Sequence, residues 1–311
     1  MLNKLKKLGL ATFLVAASSL SYADVIDEIP PLNPDEGRPG EIARIPDDND
    51  FRVCTDPDNM PFSNNKQEGF EDKIAEVLAK DLGKNLSFMY AFNRFGFLRN
   101  TIKAKRCDIL MGVPPDYDPV ATSKPYYRTG HVFVWRKESG YDITGYDSPD
   151  LKKGLVGTTD KSPTTVALSD NGIIGNAKPY RIQRDLTKKP SEMIDDLEKG
   201  EIDVAIAWGP IGGYFAKQAK VPLMVKLAPE YEKVNARGKT YWNMSIGVRH
   251  SDKKRLAEIQ GALDRNHDKI MQILADYGVP TVPVVEGDNI IKTFKENKKN
   301  KLKSGDYASK L

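Results

Sequence analysis

Residues 51–136 constrain this chain more than any other part of it. They open FRVCTDPDNMPFSNN, continue as EGFEDKIAEVLAKDLG, and return with CDILMGV and SKPYYRTGHVFVWR. Phe70, Ile74, Val77, Leu78 and Leu82 recur at helical spacing, and Gly83 closes that helix. FRVCT, LSFMYAF and CDILMGV are apolar runs of strand length, and FLRNTIKAKR reads as a short basic helix. HVFVWR is nearly continuous in apolar character, as a strand buried on both faces must be. A polar or aromatic loop follows each strand end, and ligands of open α/β sheets sit at the carboxyl ends of strands. The layout is that of a binding cleft and contains no pattern for a reaction.

The same alternation returns over residues 139–241. GLVGTT, AKPYRI and EIDVAIAWG are strands, SPTTVALSDNG starts as a helix capped near Ser162 or Thr164, and SEMIDDLEKG is a second helix. WNMSIGVR leads back, and LAEIQGALDRNHDKIMQILADYG predicts one long helix ended by Gly278 and Pro280. That helix must pack on the first lobe, because the second is already complete. AKRCDILMG and EKGEIDVAIAWG occupy matching places, an Asp leading an apolar strand after a helix, which points to duplicated αβ architecture. The expected layout is a signal peptide at 1–23, an acidic Pro-rich arm at 24–50, lobe 1 at 51–137 and 243–290, lobe 2 at 138–242, and a basic arm at 291–311.

The termini carry compartment and charge. Lys4, Lys6 and Lys7 precede LGLATFLVAASSL, an apolar run shorter than the roughly 20 residues that span a bilayer. Small residues at Ser21 and Ala23 predict cleavage after Ala23 and export to the periplasm, with no stable membrane insertion. Residues 24–50 hold nine acids and two arginines, net −7, and residues 291–311 hold seven lysines and two acids, net +5. These arms are either solvated tails or contacts for a charged partner. Loss of the three leader lysines lowers the formal +4 to +1, which argues against a nucleic-acid partner.

Cys54 and Cys107 are the only cysteines. An oxidising compartment favours a disulfide. Counted from the ends of neighbouring strands, however, they are staggered by about 10 Å, beyond the roughly 7 Å Cα separation a bridge tolerates. A bridge and two buried thiols both stay open. Metal and catalytic motifs fail: counted from Asp56 as an EF-hand loop, Pro61 takes the glycine place and Gln67 the closing glutamate. No H-E-x-x-H, G-x-S-x-G, P-loop or G-x-G-x-x-G is present. His267 is expected to face solvent, as is the Asp195, Asp196 and Glu198 group, whereas His131 stands where it can reach the cleft.

Residues 51–280 resemble a type II periplasmic solute-binding protein through RVCTDPDNMPFSN, EGFEDKIAEVLAKDLG, CDILMGV, SKPYYRT, GTTDKSPTT and GEIDVAIAWG. DPDNMPFSNN, KRCDILMGVPPDYD and SKPYYRTGHVFVW are similar to the binding-protein-like J proteins of methanol dehydrogenase operons, MxaJ and its XoxJ relatives. The resemblance implies an α/β fold of two lobes, each a mixed sheet flanked by helices, joined by two hinge crossovers. It implies a non-enzymatic accessory of PQQ-dependent methanol dehydrogenase, aiding its assembly, maturation or activation, with no cofactor of its own. The alternative is a receptor of an ABC-type permease for a small neutral or aromatic ligand. An enzyme of this fold would need a catalytic carboxylate motif that the sequence lacks. Amino-acid binders of the superfamily carry an Arg before the S-x-P-Y element and an Asp after the second lobe's Asp-led strand. Here those places hold GVPPDYDPVAT and Trp208-Gly209, so a carboxylate and an amine both lose their clamp. The candidate cleft residues are Asp56, Asn59, Phe62, Arg94, Arg99, Pro114, Tyr126, Tyr127, Thr164, Thr165 and Trp208, with Trp242 equally explicable as core.

Overall fold

The computed structural model describes residues 44–93, 96–182, 187–231 and 239–287, and the statements below concern those residues. The signal peptide, most of the acidic arm, the basic arm and Arg94 lie outside them. In chain order the first elements are β1 (Asp50–Thr55), β2 (Asp58–Asn59), β3 (Ser63–Asn64), α1 (Phe70–Leu82), β4 (Asn85–Tyr90), α2 (Phe97–Asn100), β5 (Ile109–Val113), β6 (Ala121–Thr122) and β7 (Tyr127–Arg136). There follow β8 (Val156–Thr159), α3 (Thr164–Asp170), β9 (Ala177–Tyr180), α4 (Glu192–Lys199), β10 (Val204–Trp208), α5 (Gly209–Gln218) and β11 (Leu223–Leu227). The chain returns through β12 (Tyr241–Val248), α6 (Lys253–Arg265) and α7 (His267–Asp276).

The main sheet runs β4-β1-β5-β12-β7-β10-β8-β9, with β11 on β7 and β6 on β12. Pairing is parallel for β4-β1-β5 and for β10-β8-β9, and antiparallel wherever β7 or β12 takes part. This is a mixed sheet in two halves, as the sequence implied. The buried arc of α1 (Phe70, Ile74, Leu78) packs with Ile259, Leu263, Ile270 and Leu274 of α6 and α7 in one core. The returning helices therefore cover the first half. Two further clusters, one around Phe133, Leu168 and Ile206 and one around Val134, Leu197 and Ile202, fill the second half. No helix among the described residues is long and apolar enough to cross a membrane.

The Asp echo has a structural basis. The Asp108 amide donates to the Arg52 carbonyl and the Asp203 amide to the Leu155 carbonyl, each tying its strand's entry to the neighbouring strand. Asp108, wholly buried, also takes Arg44 and Arg249, the latter at 2.6 Å. Arg44 and residues 47–50 are therefore held on the first half, where Arg255 also donates to the Asp47 and Asp50 carbonyls. The last stretch of the acidic arm is bound, not free.

Several expectations need correction. The basic helix is only four residues long, because Thr101 leaves helical geometry and bonds back to the Phe97 carbonyl. The long C-terminal helix is two helices, broken at Asn266, whose side chain takes the Ala262 carbonyl. Asp196 is buried, not solvated, and accepts from Lys178 at 2.8 Å and from the Tyr180 hydroxyl at 2.6 Å. The α3 cap is Pro163, with no side-chain cap bond.

Cys54 and Cys107 are bridged, with Cα atoms 5.3 Å apart. The strand register pairs Cys54 with Leu110, as the stagger argument assumed. Cys107, however, precedes β5 in a turn where Arg106 donates to Thr101, so its approach does not follow the rise of a strand. The bridge spans 53 residues of sequence and closes a loop that contains α1 and β4. In the chain-entropy account a loop of that length stabilises the fold by about 4 kcal/mol. Urea unfolding of the Cys54→Ala/Cys107→Ala protein is expected to show a loss of that order, and an unchanged midpoint would refute it.

Candidate functional site

The carboxyl ends of β1, β5, β8 and β10 carry Asp56, Asn59, Phe62, Pro114, Thr164, Thr165 and Trp208, whereas Arg99 lies on α2 and Tyr126 and Tyr127 at the start of β7. Asp56 follows β1 and spends its carboxylate locally, accepting from the Asp58 amide at 2.9 Å and the Asn93 amide at 2.7 Å. Asn59 and Phe62 lie in the β2–β3 turn, closed by the Phe62 amide on the Asn59 carbonyl, and both are half-buried. The Phe62 ring leans on Phe70 at 5.2 Å. Pro114 follows β5 and is half-buried. Arg99 is exposed on α2, and Phe97 of the same helix packs against the Cys54–Cys107 cluster.

Tyr126, Tyr127, Thr164 and Thr165 do not present open surface. Tyr127 is 1% exposed and belongs to the core of the first half, with Tyr126 beside it at 4.9 Å. β7 starts at Tyr127, earlier than HVFVWR suggested, and this draws both rings inward. Thr164 is fully buried, its hydroxyl linked to Thr158 at 2.8 Å and Ser162 at 2.7 Å. The Thr165 hydroxyl donates to the Ser162 carbonyl. Two hydroxyls expected at the end of β8 are therefore used to build the β8–α3 turn.

The junction of the halves is aromatic. Trp208 ends β10 opposite His131 on β7, and their rings meet edge to face at 5.3 Å. The next residue, Gly209, lies against the Gly130 carbonyl, Thr129 and Pro280, where a Cβ would not fit. The His131 ring is buried, with Nδ1 2.9 Å from the Thr240 carbonyl. A carbonyl only accepts, so Nδ1 carries a proton in either charge state, and it is burial that favours the neutral ring. Burial pushes its pKa down to about 4. Trp242, also half-buried, donates from its indole to the Lys239 carbonyl and packs against the first core.

The sequence reading missed Glu71, the second residue of α1. Burial, reinforced by the neighbouring Asp72 charge, pushes its carboxyl up to about 8. Its Oε1 occupies the place where any Cβ at Gly112 would stand, and Gly112 itself has φ +59. The helical pattern held the signal: at 100° per residue Glu71 falls between Leu78 and Leu82, inside the apolar arc. Asp72, by contrast, is a structural residue that accepts from the Gly69 and Asn64 amides at the start of α1. Elsewhere, a groove of about 380 Å³ between α4 and α5, lined in part by Ile194, Glu198, Phe215 and Lys220, includes none of the predicted site residues. Among the described residues no group of three His, Cys, Asp or Glu could hold a metal ion.

The sign of the His131 effect is fixed. The unfolded ring gains a proton below its ordinary value of 6.5, whereas the folded ring gains it only near 4. The stability is therefore present above pH 6.5 and is lost as pH falls through 4. Unfolding of wild type and His131→Asn from pH 7 to pH 4 should show the wild type losing about 3 kcal/mol more than the variant. Parallel pH profiles would contradict a neutral, buried His131.

Comparison with known proteins agrees with this geometry. The family model described as bacterial extracellular solute-binding proteins, family 3, matches residues 51–278. Protein MoxJ of Methylorubrum extorquens is 30% identical over 257 residues, covering 78% of this chain and 85% of that protein. The crystal structure of MxaJ from Methlophaga aminisulfidivorans MPT superposes with a TM-score of 0.66 at 29% identity, over 75% of this chain and all of that one. The periplasmic binding protein XoxJ from Methylobacterium extorquens AM1 gives 0.63 at 32% identity, over 75% of this chain and all of that one.

Proposed function

The chain belongs to the bacterial extracellular solute-binding proteins of family 3, and from that premise we propose that it is a periplasmic accessory of PQQ-dependent methanol dehydrogenase. In this reading it aids assembly, maturation or activation of the dehydrogenase and carries out no chemistry itself. The observation that carries the reading is how the polar and aromatic groups at the ends of β8 and β10 are engaged within a binder fold. Thr164 and Thr165 are closed into the β8–α3 turn. Trp208-Gly209 packs on His131 and Gly130 where an amino-acid binder would offer an Asp. An unpaired ligand carboxylate and ammonium cost several kcal/mol each on leaving water, so free amino acids find no favourable site. The similarity to MoxJ, MxaJ and XoxJ proteins supports a protein partner instead. Membership of a solute-binding family favours the second reading, a permease receptor for a small neutral or aromatic ligand.

The proposed contact is the rim formed by residues 56–63 and the exposed Arg99, assisted by the charged arms. The proposed lobes are residues 51–137 with 243–290, and 138–242, so that the rim lies at the mouth between them. A tagged mature protein incubated with periplasmic extract of a methanol-grown methylotroph is expected to recover the large quinoprotein subunit. A ligand-dependent melting shift with no recovered subunit would favour the receptor instead. Charges on the arms are screened beyond about 8 Å at physiological salt. The association rate should therefore fall with salt, and fall less for a chain ending at Ile290. A rate indifferent to both changes would mean that the contact is apolar and the arms play no part.

A further inference from the structure

The connection from α2 to β5 presents positive charge that its surroundings do not neutralise. Residues 96–107 hold Arg99, Lys103, Lys105 and Arg106 and no acid. The apolar side of this stretch is spent on the core, where Phe97, Leu98 and Ile102 pack with the Cys54–Cys107 cluster. Arg99, Lys103 and Lys105 are left on the outer side, all exposed. Among the described residues none of the three meets an acid, and the Arg99 side chain donates only to Asn100, at 3.4 Å. The next acid along the chain, Asp108, is wholly buried and taken by Arg44 and Arg249. Arg106 stands half-buried behind them and donates to the Asn100 carbonyl at 3.4 Å.

The turn that carries these cations is braced. The amides of Lys103, Lys105 and Arg106 donate to the carbonyls of Leu98, Ile102 and Thr101, and the disulfide ties Cys107 to Cys54 of β1. At its tip Lys105 has φ +58. Left-handed backbone suits glycine and strains a residue that carries a Cβ. Glycine would serve the turn better, so the lysine answers to a need of its side chain.

We propose that Arg99, Lys103 and Lys105 form a docking surface for an acidic patch on a protein partner. Charge complementarity selects the acidic patch. The braced turn selects a folded partner, since cations already held in one geometry lose little freedom on meeting fixed carboxylates. A polyanion is held by many cations at once, and three on a mature chain of formal charge +1 are too few. An anionic lipid surface takes up apolar side chains set beside the cations, and the apolar side chains of this turn face the core. The surface extends the proposed contact from Arg99 to the turn before Cys107. It rests on the proposed function only in naming the dehydrogenase as one of two probes.

The test titrates two probes into the mature chain at low salt: purified PQQ-dependent methanol dehydrogenase, and a helical peptide with glutamates along one face. Wild type is expected to bind both saturably. Lys103→Glu/Lys105→Glu should weaken each by about tenfold or more. Lys253→Glu/Lys269→Glu makes the same change of charge on exposed lysines of α6 and α7, and should change neither by more than about twofold. Lys105→Gly relieves the backbone, so it should melt no lower than wild type and still bind about threefold more weakly. That variant separates lost recognition from lost folding. The surface is upheld by either probe that wild type binds and the turn variant does not. It is overturned if neither probe binds, or if the two double variants behave alike. Peptide binding without dehydrogenase binding counts against the dehydrogenase and leaves the surface standing. Dextran sulfate bound as tightly as the peptide overturns the choice of a protein partner.

Discussion

The fold depends on the way β7 is shared. Its first residues pair with β12, from Tyr127 opposite Met244 to Gly130 opposite Tyr241. Its later residues lie between β10 and β11, with Val132 to Trp135 paired on both sides. One ten-residue strand is thus an element of both halves, and it is buried along nearly its whole length. That demand explains the continuous apolar run, since a strand covered on both faces can spare no polar position. It also explains the exceptions. Arg128 is buried but donates from Nη2 to both carboxylate oxygens of Glu230, at 2.8 and 2.9 Å, and Thr129 donates to the Pro280 carbonyl. The segment after α7 is drawn onto the same strand, where the Val282 amide donates to the Arg128 carbonyl.

Periodic elements were legible in the sequence, and interrupted ones were not. The α1 helix, with its Gly83 end, and the parallel strands could be read because their apolar spacing is regular over enough residues. α5 was passed over because Gly209-Pro210 and Gly212-Gly213 look like a loop. Those residues work in place, since Pro suits the first turn of a helix and the glycines let the helix lie against Val132 and Gly278. β11 was missed because Met224 and Val225 are exposed on an edge and show no alternation of buried and exposed positions. The cysteine geometry misled because a count along strands cannot describe a turn. At the candidate site, the orientation of the side chains depends on β7 beginning at Tyr127 and on the Ser162–Thr165 turn, neither of which a local pattern encodes.

In the proposed function the junction is a binder scaffold with an altered recognition surface. Hydroxyls that a carboxylate binder would offer are consumed by a turn, and an indole stands where an acid would stand. His131 is neutral, and among the described residues no basic side chain pairs with the carboxyl of Glu71. These features leave the contact between His131 and Trp208 without a fixed charge. Such a surface suits a protein contact whose core is apolar and aromatic, with charge confined to the rim and the arms.

Hydrogen exchange on the mature protein, alone and saturated with purified PQQ-dependent methanol dehydrogenase, tests the central claim most directly. The account predicts slower exchange in residues 56–68 and around Trp208, with α4 and β9 unchanged. Identical exchange throughout, or protection confined to α4 and β9, would contradict it.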